Sequence, residues 1–137
     1  MLAASLERRR PWCEARLRSP DAQSATPRER IQYVFRRAAE NAAAPGCCGC
    51  PYLAVLVELK DGEHPASVVA RAAKELLRGC FEEQAGQGGA GDPALLARQL
   101  VLIFDGASAR AGARIEHLDD GLLTATATTL LDAAGVK

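Results

Sequence analysis

Apolar positions recur with the period of an α-helix along most of this chain. The clearest stripe lies between Val69 and Phe81, where seven apolar residues fall three or four positions apart. A second stripe runs from Ile31 to Ala42. It follows Thr26-Pro27-Arg28-Glu29, which has the pattern of a capping box with proline at the first helical position. Both stretches are therefore predicted to be amphipathic helices.

Two further stretches are less regular. Leu2 to Leu17 carries a weaker stripe, and Pro11 within it predicts a kink or a restart of the helix. Pro51 to Leu59 (PYLAVLVEL) is a short apolar run, for which the period alone does not separate strand from helix. Because no second convincing strand is available to pair with it, we predict a helix.

The C-terminal third predicts two more helices. Asp92-Pro93 has the pattern of a helix cap, and the helix that follows is apolar around most of its circumference. This surplus predicts that a second subunit covers its outer face. The last helix is predicted from Leu118 to Ala134, with Gly135 as its stop. Its inward positions are predicted to be Leu122, Leu123, Thr126, Leu130 and Ala133.

Composition narrows the class of protein. The chain has 137 residues, 4% aromatic residues, and 17 basic against 17 acidic side chains. This fits one alanine- and leucine-rich helical domain with no global charge that favours nucleic acid or membrane. No apolar run approaches the roughly 20 residues that span a bilayer, and Glu7 to Arg10 interrupts any secretory pattern. The odd count of five cysteines favours a reducing cytoplasm.

Three cysteines lie close together in the segment PGCCGCPY, residues 45–52. The spacings of Cys47, Cys48 and Cys50 are too tight for a four-ligand zinc site, and no second cluster follows. Cys47 and Cys50 have the Cys-x-x-Cys spacing of redox centres, yet no strand leads into them. We favour a tight glycine turn with partly buried thiols. A thiol-based sensor of oxidants or soft metals remains the alternative.

Other candidate chemistry is sparse. His64 precedes Pro65 and is predicted to cap a helix, while His117 lies in an acidic helix start. The glycines between Gly86 and Gly91 lack a following Gly-Lys-Ser/Thr, so they predict a flexible linker rather than a phosphate-binding loop. No nucleophile motif or spaced carboxylate pair predicts an enzyme. Neither a metal nor a cofactor is predicted.

Two of these segments resemble the C-terminal, ligand-binding and dimerisation domain of the TetR family of bacterial transcriptional repressors. One is Gly49-Cys50-Pro51-Tyr52-Leu53 with the later His64-Pro65, and the other runs from Asp92-Pro93 through Leu100 to Ala107. Leu2 to Leu17 is similar, more weakly, to the first helix of that domain. Family members carry an upstream unit with a helix-turn-helix that reads the major groove. This chain is expected to lack that unit, as a truncated form, a gene start at an internal Met, or a relic.

The resemblance implies an all-α, six-helix antiparallel bundle and a non-catalytic homodimer. Residues 1–90 would enclose a small apolar effector, and the last two helices, within residues 92–137, would form a four-helix bundle with a second subunit. Operator DNA would be bound only through the absent helix-turn-helix. The pocket candidates are Trp12, Phe35, Tyr52, Val55, Phe81 and Phe104, for which ordinary core packing is the alternative. The interface candidates are Leu95, Val101, Leu102, Leu122, Thr126 and Leu130.

Overall fold

The fold is built from helices throughout the part of the chain that the computed structural model describes, residues 24–44, 46, 49–118 and 120–137. The helices are α1 (Pro27–Ala43), α2 (Pro51–Leu59), α3 (Pro65–Gln87), α4 (Pro93–Gly112) and α5 (Leu122–Ala134). The all-α prediction is confirmed, and so is the choice of helix for Pro51 to Leu59. The predicted helix from Leu2 to Leu17 and Trp12 lie outside the described residues, so the six-helix count stays a prediction.

Local sequence rules set the helix starts. Thr26 Oγ1 accepts a hydrogen bond from the Glu29 backbone N–H at 3.2 Å. In return, the Thr26 N–H donates to Glu29 Oε2 at 3.0 Å, which completes the predicted capping box. Proline occupies the first turn of α1 to α4, where the missing N–H costs no helical hydrogen bond. Each of these four helices therefore begins at a residue that the sequence marks.

Two further caps match their predictions. His64 Nδ1 accepts from the Ala66 N–H at 3.1 Å, at the start of α3. Asp92 Oδ1 accepts from the Leu95 N–H at 3.1 Å, at the start of α4. Each side chain satisfies one of the backbone donors that a helix N-terminus leaves without an intrahelical partner.

Among the described residues, the buried apolar side chains form two clusters. The main core lies between α1, α3, α4 and α5 and includes Phe35, Phe81, Leu96, Leu100 and Leu131, all at most 1% exposed. Each such side chain stabilises the fold by about 1.5–3 kcal/mol. The second cluster joins α2 to the first half of α3 and contains Tyr52, Ala66 and Ala70. We refer to these clusters as the main core and the α2–α3 cluster.

The last helix begins later than predicted. Gly121, with φ +84°, precedes α5, and the side chain of Asp120 accepts from the Leu122 N–H at 3.1 Å. Leu118 is buried in the main core but lies before the helix. Its apolar side chain fits the helical period, and the start of the helix was therefore predicted too early. The predicted inward face was correct for Leu123, which is buried, and for Leu130, which packs against the main core. It missed Ala127 and Leu131, which are also buried. Leu122 and Ala133 are exposed.

The glycine segment is not the flexible linker that was predicted. Gly86 lies within α3, and Gly88 is buried where a Cβ atom would approach Val136 Cγ1 to 2.7 Å. The Lys137 N–H donates to the Gly88 carbonyl at 3.1 Å, and the Gly91 N–H donates to the Ala134 carbonyl at 3.2 Å. These contacts hold the segment against the end of α5. No helix in the described residues is long and apolar enough to cross a membrane.

Candidate functional site

Three phenylalanines from three helices meet in the main core. Phe35 of α1 stacks on Phe81 of α3, with ring centroids 5.5 Å apart and an interplanar angle of 13°. Phe104 of α4 meets Phe35 edge to face, at 6.0 Å and 77°. Such aromatic pairs stabilise by about 0.5–1.5 kcal/mol beyond the area they bury. We call these residues the phenylalanine triad; all three were predicted as pocket residues, and Phe104 is its partly exposed member.

An ion pair lies beside the triad. Lys74 Nζ of α3 and Asp105 Oδ1 of α4 are 2.5 Å apart, with only 14% and 25% of their side chains exposed. The Lys74 ammonium also sits 5.3 Å from the centroid of the Phe104 ring, within the range of a cation–π interaction. Charged groups are costly to bury unless they are paired. The partial burial of this pair therefore makes the contact between α3 and α4 a candidate for a functional role.

The inward stripe of α3 changes character along the helix. Ser67, Lys74 and Phe81 are seven positions apart and therefore lie on one face, at successive steps of about 10.5 Å. Phe81 is buried in the apolar main core, whereas Lys74 is charged and paired. Ser67 is 1% exposed, and its Oγ has no hydrogen-bond partner in the described part of the chain. This face of α3 thus carries a buried aromatic ring toward its C-terminal end and two polar side chains, Lys74 and Ser67, nearer its N-terminal end.

The structure divides the remaining pocket candidates. Tyr52 is buried and Val55 partly buried in the α2–α3 cluster, which is distinct from the cluster that holds the triad. Sequence reasoning missed Ser67, Lys74 and Asp105. A signal was present, because Lys74 stands one heptad before Phe81 in the clearest apolar stripe of the chain, and Asp105 directly follows Phe104.

The cysteine turn is described only in part. Gly49 has φ +85°, and a Cβ atom there would lie 2.8 Å from the Ser108 carbonyl oxygen, so the turn packs closely on α4. The positive φ of Gly49 is a conformation that favours glycine, as a tight turn at this position requires. Cys50 is a partly buried free thiol before α2. Cys47 and Cys48 lie outside the described residues, so the thiol sensor stays a prediction. Within the described residues, no three His, Cys, Asp or Glu side chains group as metal ligands.

The interface candidates fall into two sets. Leu95, Leu102 and Leu122 are exposed apolar side chains on α4 and α5, and Leu102 is the most exposed at 73%. Leu95 and Leu102 are seven positions apart and share one face of α4. Val101 and Leu130 instead pack against the main core, and Thr126 donates its hydroxyl hydrogen to the Leu122 carbonyl at 2.8 Å. The exposed leucines define the α4–α5 face.

The fold of this chain is similar to solved structures of transcriptional regulators. SAV143 from Streptomyces avermitilis MA-4680, assigned to the TetR regulators, is 52% identical with a TM-score of 0.92, over 98% of this chain and 73% of that chain. SCO4454, a TetR-family regulator from Streptomyces coelicolor, shares the fold at 23% identity and a TM-score of 0.83, over 98% and 71%. No protein-family model and no curated protein matches the chain. The chain belongs to the TetR family of transcriptional regulators.

Proposed function

We propose that this chain is the effector-binding and dimerisation part of a TetR-family regulator and acts without catalysis. The observation that carries the proposal is the junction of α1, α3 and α4, where the phenylalanine triad adjoins the Lys74–Asp105 pair. Ligand sites between bundled helices combine apolar walls with a few placed polar groups. This junction has both elements in direct contact.

Binding at this junction would affect three helices at once. Phe104 and Asp105 are adjacent on α4, and α4 also carries Leu95 and Leu102 of the α4–α5 face. A ligand that favours one packing of α4 would therefore shift the population of conformers at the dimer interface. In this proposal, a helix-turn-helix unit, rather than α1 to α5, contacts operator DNA.

The α4–α5 face supports the dimerisation part of the proposal. Single exposed apolar residues are normal on a protein surface, whereas α4 and α5 together expose three leucines. We take these leucines as support for an interaction surface. A symmetric dimer would place the same patch of each subunit against its partner and bury all three side chains. The resulting four-helix bundle would contain α4 and α5 of both subunits.

The experiment is an amide NMR titration of the full chain with a panel of small apolar molecules. The proposal predicts that at least one compound saturably shifts the amide signals of Phe35, Phe81, Phe104 and their neighbours. A panel in which every binder shifts only residues remote from the triad, such as Val57 on α2, would contradict it. Light scattering on the same samples should give the mass of a dimer.

A further inference from the structure

We infer that the effector carries an oxygen hydrogen-bond acceptor, a carbonyl or a carboxylate, which is bound by Lys74 and Ser67, while its apolar body lies against Phe104. This inference rests on the proposed effector site and names the chemistry of its ligand. The evidence is a surplus of hydrogen-bond donors at the polar end of the α3 stripe.

Lys74 provides most of that surplus. An ammonium group has three N–H donors, and the described contacts of Lys74 are one hydrogen bond to Asp105 and the face of the Phe104 ring. Its side chain is only 14% exposed, so water reaches it poorly. An acceptor atom of a ligand would accept a hydrogen bond from an N–H group of Lys74 that Asp105 does not use. Such charge-assisted hydrogen bonds are among the stronger ones.

Ser67 supplies an independent observation. Its hydroxyl is buried without a hydrogen-bond partner in the described structure, an arrangement that disfavours the unliganded protein. Between Ser67 and Lys74, the same face of α3 carries Ala70, which is itself fully buried in the α2–α3 cluster. A ligand acceptor near this position would satisfy a group that the fold leaves unsatisfied.

The position of the triad fixes the orientation of the ligand. Lys74 lies between Ser67 and Phe81 along α3, and its ammonium contacts the ring of Phe104. The polar head therefore points toward the N-terminal half of α3 and the apolar body toward the triad. A cationic ligand fits poorly, because it would have to displace Lys74 from both the Asp105 carboxylate and the Phe104 ring.

The test compares three probes with the same alkyl chain: octanoate, octanamide and octylamine. Their affinities for the full chain are measured by calorimetry, with NMR to locate the binding site. We expect octanoate and octanamide to bind about tenfold or more tightly than octylamine, a difference that one good hydrogen bond provides. Tighter binding of octylamine, or equal binding of all three, would overturn the inference.

Variants assign the preference to its residues. Lys74→Met keeps an unbranched side chain and should reduce the preference for octanoate over octylamine to about twofold or less. Ser67→Ala should weaken both acceptor probes by about threefold to tenfold. Lys60→Met removes the same charge from an exposed lysine and serves as the control. Unchanged preference in Lys74→Met, with a native circular dichroism spectrum, would exclude Lys74 as the recognition group.

The inference and the proposed function fail in different ways. If none of the three probes binds, the inference is overturned, while a compound of the apolar panel that shifts the triad signals still supports an effector site. If the probes bind but shift only residues remote from the triad, the inference is overturned, and the proposed function is contradicted as well when every binder of the apolar panel does the same. Asp105→Asn provides a further check, because it removes the carboxylate that competes with the ligand for the Lys74 ammonium and should therefore tighten octanoate binding. Weaker octanoate binding in this variant would contradict the inference.

Discussion

Lys74 and Asp105 join α3 to α4 through an ion pair whose Nζ and Oδ1 atoms are 2.5 Å apart. The two residues are separated by 31 positions in the sequence, so the pair is a tertiary contact rather than a feature of one helix. Because the ammonium also contacts Phe104 of the triad, a change at this pair reaches both the apolar core and the helix that carries Leu102.

Breaking the pair from one side should destabilise the protein. In Asp105→Ala, the partly buried ammonium of Lys74 loses its carboxylate, and we expect the free energy of unfolding to fall by about 1–2 kcal/mol, less than for a fully buried pair. Urea denaturation measures this loss. Glu40→Ala is the control, because its pair with Arg37 is exposed, and a change of about 0.5 kcal/mol or less is expected. Equal losses in both variants would contradict a special role for Lys74–Asp105.

Phe35 should be the most costly member of the triad to truncate. Its ring is fully buried and contacts both other rings, so Phe35→Ala is expected to cost about 3–5 kcal/mol and to weaken the near-ultraviolet dichroism. A loss below about 1 kcal/mol would show that the rings do not form a packed unit. Phe35→Leu keeps more volume and should cost less, which separates packing from a general failure to fold.

The exposed leucines predict a variant that stays folded but does not dimerise. Leu102 is 73% exposed within one subunit, so Leu102→Glu should leave the dichroism spectrum unchanged while it places a charge in the proposed dimer interface. Light scattering after size exclusion is expected to show a monomer. Val57→Glu, at a 60% exposed position on α2, is the matched control and should remain dimeric. A dimeric Leu102→Glu would place the interface elsewhere.

Two glycines of the cysteine turn allow a direct comparison. Gly46 and Gly49 have φ values of +79° and +85°, so alanine at either position incurs backbone strain of about 1–2 kcal/mol. Only at Gly49 would the added Cβ also meet a backbone atom, the Ser108 carbonyl oxygen at 2.8 Å. Gly49→Ala should therefore lower the melting temperature more than Gly46→Ala. Equal effects would mean that the turn does not pack on α4.

Local rules predicted the features that depend on neighbouring residues. Thr26, His64 and Asp92 each cap a helix through a contact two or three positions away, so the sequence pattern contains the whole interaction. The inward face of α5 was predicted only in part, because threonine and alanine occupy both sides of LLTATATTLLDAA and suit an inward or outward position. Its buried face depends on packing against other helices, which periodicity does not encode.

The polar residues of the candidate site could not be predicted from local rules, because their partners are distant in the sequence. No role was predicted for Lys74, because its charge is recognised as partly buried only when Asp105 and Phe104 are brought beside it. Likewise, Gly88 was predicted to lie in a linker, because its contacts come from distant residues. Val136 packs against it, and the Lys137 N–H donates a hydrogen bond to its carbonyl. The aromatic residues of the site could be predicted from the sequence, whereas the contacts of isolated polar residues could not.

Our main proposal is that the triad and the Lys74–Asp105 pair form an effector site. Its most direct test is an intermolecular NOE spectrum of the chain saturated with the tightest-binding compound of the apolar panel. We expect NOEs from the compound to the ring of Phe104 and to the side-chain methylenes of Lys74. NOEs confined to exposed side chains such as Leu102 or Val57, with none to Phe104 or Lys74, would contradict it.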